Sequence, residues 1–418
     1  MQPSGKIPLQ PWMAAPETRA VIAALTAEGA EVRFVGGCVR DAVIGRPVKD
    51  IDIATHDEPE RVIRLLEQAG LRAVPTGIAH GTITAISGRA HFEITTLRED
   101  VETYGRRAKI AFTDDWMRDA SRRDFTFNAL FCAPDGTLYD PFGGLKDLKA
   151  GRVKFVGEPE ARIREDVLRL LRFFRFHAHY GKGAPDEAGL DACRRLASLL
   201  PTLSGERVAG ETLRLLVADD PAPVVRLMIE DKILAPILPE LADWDRLAAL
   251  VGIEREEAEP DGLRRLASLI ARDGEAARKI ASVLRLSNQQ AERLTGMASA
   301  APGVTVTDDR RVQRRELYRL GAEPYRDLAL LDWARERATG AAPDPKQYRA
   351  LLVAAAQWKP VSLPVKGQDV LELGIAAGPE VGELLQAVEA WWVEGDFKAT
   401  RAQCVAKLKK LAGRTAGR

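Results

Sequence analysis

From about residue 31 the chain carries short runs rich in Val, Ile, Thr and Phe: EVRFVGG, IDIAT, GTITAIS, AHFEITTL and NALFCAP. Their length and their β-branched and aromatic content predict strands, and segments between them such as PERVIRLLEQAG predict helices. From Glu158 onward this alternation stops. EDVLRLLRFFRFHAHY, GETLRLLVAD, APVVRLMIED and GEAARKIASVLRL space their apolar residues by three and four, the pattern of amphipathic helices. Breaks bearing Pro and Gly (PTLSGE, EEAEPDG, SAAPGV, GAAPDP, WKPVSLPVKG) separate them. No fixed-period repeat marks a solenoid. The pattern predicts an α+β protein, a small mixed head followed by a long all-helical remainder.

Two stretches resist the pattern. Residues 97–122, LREDVETYGRRAKIAFTDDWMRDASR, carry charges of both signs with little periodicity and read as a surface loop, long enough to suggest a function. The C-terminus, KLKKLAGRTAGR, is basic and reads either as a frayed solvated end or as a contact for an RNA backbone.

Composition narrows the picture. A chain of 418 residues fits two to four domains at roughly 150 residues each. Lys+Arg total 61 and Asp+Glu 60, which excludes an all-over basic coat and an acidic tail but leaves room for a local basic groove. No apolar run approaches the ~20 residues of a membrane span. The start, MQPSGKIPLQPW, has no charged-then-apolar signal pattern, so a cytoplasmic protein is expected. Four cysteines lie far apart at 38, 132, 193 and 404, a spacing that argues against a disulfide framework or a zinc site.

The candidate chemistry begins at FVGGCVRDAVIGRPVKDIDIAT, residues 34–55. A strand ending at Gly36-Gly37 and running straight into a helix brings backbone N–H groups and a helix N-terminus toward an anion such as a triphosphate. Arg40, one turn in, offers a planar fork to phosphate oxygens. A glycine pair at such a turn also has a purely steric reading. On a strand, Asp50 and Asp52 share a face while Ile51 turns to the core. Two carboxylates so placed repel each other unless a cation such as Mg²⁺ neutralises them; otherwise they are solvated edge residues. Glu93, between Phe92 and Ile94 in HFEITTL, is either a third carboxylate of that site or an exposed strand residue pairing with Arg98 or Lys109.

Two further clusters follow. SRRDFTFNALF, residues 121–131, sets Arg123 beside Asp124: phosphate contacts next to a carboxylate able to accept a ribose hydroxyl, or else a helix cap with a surface arginine pair. Asn128 falls on the face of Asp124 if the segment is helical. In IREDVLRLLRFFRF, residues 163–176, a helix would bury Val167, Leu171 and Phe174 and set Asp166 and Arg169 side by side, an acceptor and a donor for the edge of a nucleobase or one more salt bridge. Arg172 and Arg175 continue at threes but drift about 60° per step, so they suit phosphate or stacking contacts rather than the same base.

Taken together these motifs resemble the class II tRNA nucleotidyltransferase and poly(A) polymerase family of the polymerase-β-like superfamily. GGCVRD with DID looks like its first motif, RRDFTFNA its second and EDVLR its EDxxR motif. ERVAGE at 206–211 is similar to its ERxxxE element, and DPFGGLKDL at 140–148 occupies the place of its hinge. The resemblance implies a nucleotidyltransferase head at 31–148 after an N-terminal extension at 1–30, a helical neck at 149–216, a body at 217–345 and a tRNA-binding tail at 346–418. It implies Mg²⁺ as cofactor on Asp50 and Asp52, with Glu93 in the catalytic group. Gly36, Gly37, Arg40, Arg123 and Asp124 would hold the nucleotide, and Asp166 and Arg169 would select CTP and then ATP, supported by Arg172 and Arg175. GIAHGTITA and the full-length charged loop 98–122 are similar to the branch that adds CCA to tRNA; poly(A) synthesis and partial addition are the alternatives. No membrane and no protein partner is implied.

Overall fold

Phe34, Ile53, Ile83 and Phe92 are completely buried, and the four come from four different strands of one mixed sheet. The computed structural model describes residues 1–104, 107–299 and 303–415. It divides into two units, residues 1–239 with 283–285, and residues 240–282 with 286–418.

The first unit contains the sheet. Its strands are β1 (Gly5–Lys6), β2 (Val32–Val35), β3 (Ile51–Thr55), β4 (Arg72–Gly77), β5 (Thr82–Ser87), β6 (Ala90–Thr96), β9 (Phe131–Cys132) and β10 (Thr137–Tyr139), ordered β1-β10-β9-β2-β3-β6-β5-β4. All pairings are antiparallel except β3 with β6, which run parallel in the register Asp52↔Glu93. All four residues of β2 are buried. Its one charge, Arg33, lies between the rings of Trp116 (4.2 Å) and Tyr139 (3.7 Å) and donates to Glu31 at 2.7 Å, so the cation is both stacked and paired. The edge strand β1 comes from a stretch that the hydrophobic pattern leaves unassigned, because two residues carry no periodicity.

Residues 97–122 do not form a surface loop throughout. β7 (Arg98–Tyr104) and β8 (Arg107–Phe112) pair antiparallel as a separate two-stranded sheet, and the helix Trp116–Ser121 follows. Residues 105 and 106 of this segment lie outside the described residues. Asp115 caps the helix, its side chain accepting from Met117 N at 2.7 Å.

A cluster of aromatic rings joins the sheet to the helices beyond it. Phe125 contacts Phe155 (4.8 Å between centroids) and Phe176 (5.3 Å), and Phe155 stacks on Phe173 (5.6 Å). These rings seat the helix Leu168–Tyr180 beneath the segment 122–128. The expected continuous helix over 163–176 is broken: one helix ends at Glu165, Asp166 is extended at φ −146°, and the next begins at Leu168. The buried face accordingly starts at Leu170 and Leu171 and runs through Phe173, Phe174 and Phe176, while Val167 stays half-buried at the break.

The second unit is helical. Buried ion pairs tie its helices together, with Glu254 accepting from Arg264 (2.7 Å) and Arg265 (2.6 Å) and Asp327 from Arg264 (2.9 Å) and Arg293 (2.8 Å). Val365, Val370, Leu384, Val388, Trp392, Cys404 and Leu408 make a separate apolar cluster near its end. The basic C-terminal stretch is not frayed through most of its length: the helix Arg401–Thr415 covers it, with Cys404 and Leu408 fully buried, and residues 416–418 lie outside the described residues. Among the described residues no helix is long and apolar enough to cross a membrane.

Candidate active site

A cavity of about 530 Å³ opens where β2, the segment 123–128 and the helix break at Asp166 meet. Gly36, Gly37, Arg40, Asp52, Arg123, Asp124, Asp166, Arg169, Arg172 and Arg175 all line it, as do Asn128, Leu168, Phe176 and Arg207. Ten residues singled out from the sequence, spread over 140 positions, thus share one cavity. Six arginines face three aspartates in the lining, an excess of positive charge suited to a polyanion.

Gly36 ends β2 at φ +70°, ψ −123°, a conformation that a side chain strains, and Gly37 opens the helix Gly37–Val43. A Cβ on Gly36 would come no closer than 3.5 Å to Arg123, so backbone conformation rather than crowding requires the glycine. Arg40 is 8% exposed and fixed on two sides, donating to both oxygens of Asp41 (2.9 Å each) and to Asn128 Oδ1 (2.7 Å). Tyr180 stacks on it at 4.3 Å and donates its hydroxyl to Asp41 at 2.9 Å. Asp41 is thus the counter-charge of the pocket arginine.

Asp52 lies on β3 directly opposite Glu93 of β6. Burial, and then the charge of Glu93, pushes the Asp52 carboxyl up to about 6; Asp50 adds to the rise, while Arg123 and Arg40 oppose it. Asp50 itself is not on the strand. It precedes β3 in an exposed bend and, like the exposed Glu93, lies beside the cavity lining rather than in it. The expected strand-mates Asp50 and Asp52 are thus replaced by a cross-strand pair, Asp52 and Glu93, flanked by Asp50. Of the suggested partners for Glu93, Arg98 donates its guanidinium to the His80 carbonyl and its backbone N–H to Asp119 (3.3 Å), and the side chain of Lys109 lies outside the described residues.

The donor set fits a hard divalent cation. Acidic oxygens gather where one of them is reluctant to ionise, and a cation relieves that cost. Among the described residues no group of three His, Cys, Asp or Glu side chains is close enough to hold a metal by itself.

Arg123 and its neighbour Arg122 share one buried carboxylate. Asp119, 1% exposed, accepts from Arg123 (2.8 Å) through Oδ2 and from Arg122 (2.6 Å) through Oδ1. Burial raises the Asp119 carboxyl, but the two guanidiniums outweigh it and hold it below its usual value. Asp124 is organised similarly, accepting from Phe125 N (2.8 Å), Asn128 Nδ2 (3.0 Å) and Arg172 Nε (2.7 Å). Burial again raises it, and Arg172 with these hydrogen bonds prevails and lowers it. Asn128 does face Asp124, but from a 3₁₀ turn, Thr126–Asn128, rather than an α-helix.

Asp166 and Arg169 do not form the salt bridge that a continuous helix would allow. Asp166 accepts from Arg207 Nη2 through both oxygens (2.9 and 2.8 Å), and Arg169 donates to Glu165 (2.7 Å). Arg175 pairs with Glu211, which is 1% exposed, and stacks on Phe176 at 4.1 Å. Sequence reasoning set Asn128 beside Asp124 without giving it a role, and left Arg207 and Phe176 out of the site. The signal for Arg207 was present in ERVAGE, whose arginine faces the cavity while its last glutamate holds Arg175.

The chain is 34% identical over 402 residues to the mitochondrial CCA tRNA nucleotidyltransferase 1 of Homo sapiens, spanning 92% of this chain and 87% of that protein. The chain belongs to the CCA-adding tRNA nucleotidyltransferase family. The CCA-adding enzyme of Geobacillus stearothermophilus is 32% identical over 403 residues, 94% of this chain and 96% of the relative. A crystal structure of the Bacillus stearothermophilus CCA-adding enzyme in complex with CTP aligns with a TM-score of 0.75 at 28% identity, covering 96% of this chain and 98% of that one. The Poly A polymerase head domain matches residues 32–154, and the second domain of tRNA nucleotidyltransferases matches residues 263–408. Nucleotidyltransferases of this fold use divalent metal ions. In this family member the mixed sheet and the helical remainder have the architecture that the sequence motifs imply.

Proposed function

We propose that this chain adds CCA to the 3′ end of tRNA without a nucleic-acid template, using CTP and ATP, and that the arginine-rich cavity is where the incoming nucleotide sits. The observation that carries the reading is the meeting, in one cavity, of a carboxylate at a phosphate-binding turn with the acceptor–donor pair Asp166 and Arg169. Mg²⁺ is the proposed ion, held by Asp50 and Asp52 with Glu93 beside them; when bound it would neutralise phosphate charge and make the tRNA 3′-hydroxyl a better nucleophile.

The chain's own groups do the positioning. Arg40 and Arg123, each anchored by a carboxylate, would bind triphosphate oxygens beside the Gly36-Gly37 turn. A carboxylate offers about four acceptor positions. Asp124, held by Phe125, Asn128 and both arms of the Arg172 fork, would accept a ribose hydroxyl by sharing one of these positions. Asp166, an acceptor, favours bases with an exocyclic amino group, and cytosine and adenine both have one where uracil and guanine carry an oxygen. Arg169 would donate to the adjacent ring acceptor, and Arg172, Arg175 and Phe176 would support the base. Such catalysis consists of orientation and charge stabilisation. The helical segments from residue 149 onward, as neck, body and tail, are the proposed bed for tRNA.

The test uses tRNA lacking its last three nucleotides, with CTP, ATP and Mg²⁺, and sequences the product ends. A stop at CCA is expected. A stop at CC would restrict the activity to partial addition, a run of A would make the chain a poly(A) polymerase, and no extension would overturn the enzymatic reading.

A further inference from the structure

Arg40 and Asp41 are successive residues of the helix Gly37–Val43, and side chains one position apart on a helix do not face each other. Here they nonetheless pair through two bonds, Arg40 Nε to Asp41 Oδ1 and Nη2 to Oδ2, both 2.9 Å. The side chain that meets the Asp41 carboxylate from outside this helix is Tyr180, whose hydroxyl donates to Oδ1 at 2.9 Å. Its ring also lies 4.3 Å from the Arg40 guanidinium, so one residue touches both members of the pair. Tyr180 is itself held in place. Arg46 lies 4.5 Å from the same ring and donates to the His179 carbonyl at 2.8 Å.

A guanidinium carries five N–H donors in a rigid plane. Asp41 and Asn128 engage three of those on Arg40. The two left over, one on each Nη, are available to ligand oxygens, and the rotation of the plane decides where they point. A pair bound only within its own short helix could turn as a unit; a hydroxyl and a ring from another element stop it. We propose that Tyr180 is a positioning residue that fixes the Arg40–Asp41 pair and so directs the open N–H groups of Arg40 to the triphosphate. The proposal rests on the reading that Arg40 binds triphosphate oxygens. Tyr180 is the last residue of the helix Leu168–Tyr180, whose Arg172, Arg175 and Phe176 line the same cavity. The helix that supports the base in this reading thus also holds the phosphate-binding arginine.

The experiment measures binding of inorganic tripolyphosphate with Mg²⁺ by titration calorimetry, for the wild type, Tyr180→Phe, Tyr180→Leu and Arg40→Lys. This probe has no base, so it reads the phosphate contacts, and it needs no turnover. Loss of folded protein changes the stoichiometry and not Kd, so a purely structural role leaves Kd unchanged. Tyr180→Phe keeps the ring and removes the hydroxyl; it is expected to raise Kd about fivefold, with the KM for CTP rising alike. Tyr180→Leu, which loses the ring as well, is expected to raise Kd further. An unchanged Kd in both Tyr180 variants with a raised one in Arg40→Lys overturns the positioning role alone. An unchanged Kd in all three variants, or no binding to the wild type, overturns the assignment of Arg40 to the triphosphate as well.

Discussion

Asp166 and Arg169 are three residues apart and line the same cavity, yet each is paired with a different residue: Asp166 with Arg207 at 2.8 Å and Arg169 with Glu165 at 2.7 Å. The extended backbone at Asp166 is what separates them. An acceptor and a donor that satisfied each other would offer a nucleobase nothing. Held apart by outside partners, each keeps free hydrogen-bonding positions toward the cavity.

Replacing Asp166 by Ala should therefore blur the choice of nucleotide. A base-edge hydrogen bond is worth about 1–3 kcal/mol of discrimination. Preference for CTP and ATP over UTP and GTP is expected to fall by roughly tenfold or more, measured by competition during single additions. Wild-type selectivity in this variant would end the templating role.

Asp52→Asn should reduce kcat on the order of 10³-fold, the scale seen when one element of charge stabilisation is removed from an active site. Affinity for tRNA, measured by filter binding, should stay within about twofold, since the change is confined to one side chain lining the cavity. Normal turnover would show that no cation is held there.

The same residue predicts a pH dependence. In the metal-free protein the Asp52 carboxyl is pushed up to about 6, above its usual 3.8. The folded state thus takes up this proton before the unfolded one, and from this group alone stability rises as pH falls through 6. Activity should move the other way, because proton and cation compete for the carboxylate. The acid limb of the rate profile should shift to lower pH as Mg²⁺ is raised. A limb that ignores Mg²⁺ concentration would assign it to another group.

Asp119 has the opposite sign. Its carboxyl is held below the usual 3.8, so the stability it contributes is complete above that value and is lost as pH falls through the lower folded value. Asp119→Asn leaves Arg122 and Arg123 without their shared counter-charge and should cost about 3 kcal/mol at pH 7. In urea titrations the gap from wild type should hold from pH 7 to near 4 and then narrow. A gap that stays constant at still lower pH would mean that the charge is not what matters.

The chemistry-bearing residues were legible because their types and spacing are themselves the signal: the glycine pair before Arg40, the DID triplet and the RRD and EDVLR clusters. Their partners were not. Nothing local marks Glu211 as the counter-charge of Arg175 or Asp119 as that of Arg123, since such pairs are fixed by packing between distant elements. The break at Asp166 has no Pro or Gly to announce it. It arises where Arg207 and the N–H of Leu168 compete for the Asp166 carboxylate, both within 3.2 Å. The β7–β8 hairpin was hidden for a different reason. Its strands pair with each other outside the main sheet, and their charged sequence carries little periodicity.

Every arginine lining the cavity already faces a resident carboxylate: Arg40 on Asp41, Arg123 on Asp119, Arg169 on Glu165, Arg172 on Asp124, Arg175 on Glu211 and Arg207 on Asp166. A shared guanidinium grips a phosphate less hard than an unshared one, and it is not left stranded when the phosphate departs. For an enzyme that must admit a nucleotide and expel pyrophosphate once per addition, this favours rapid exchange over tight residence. The tRNA can then stay while small molecules come and go.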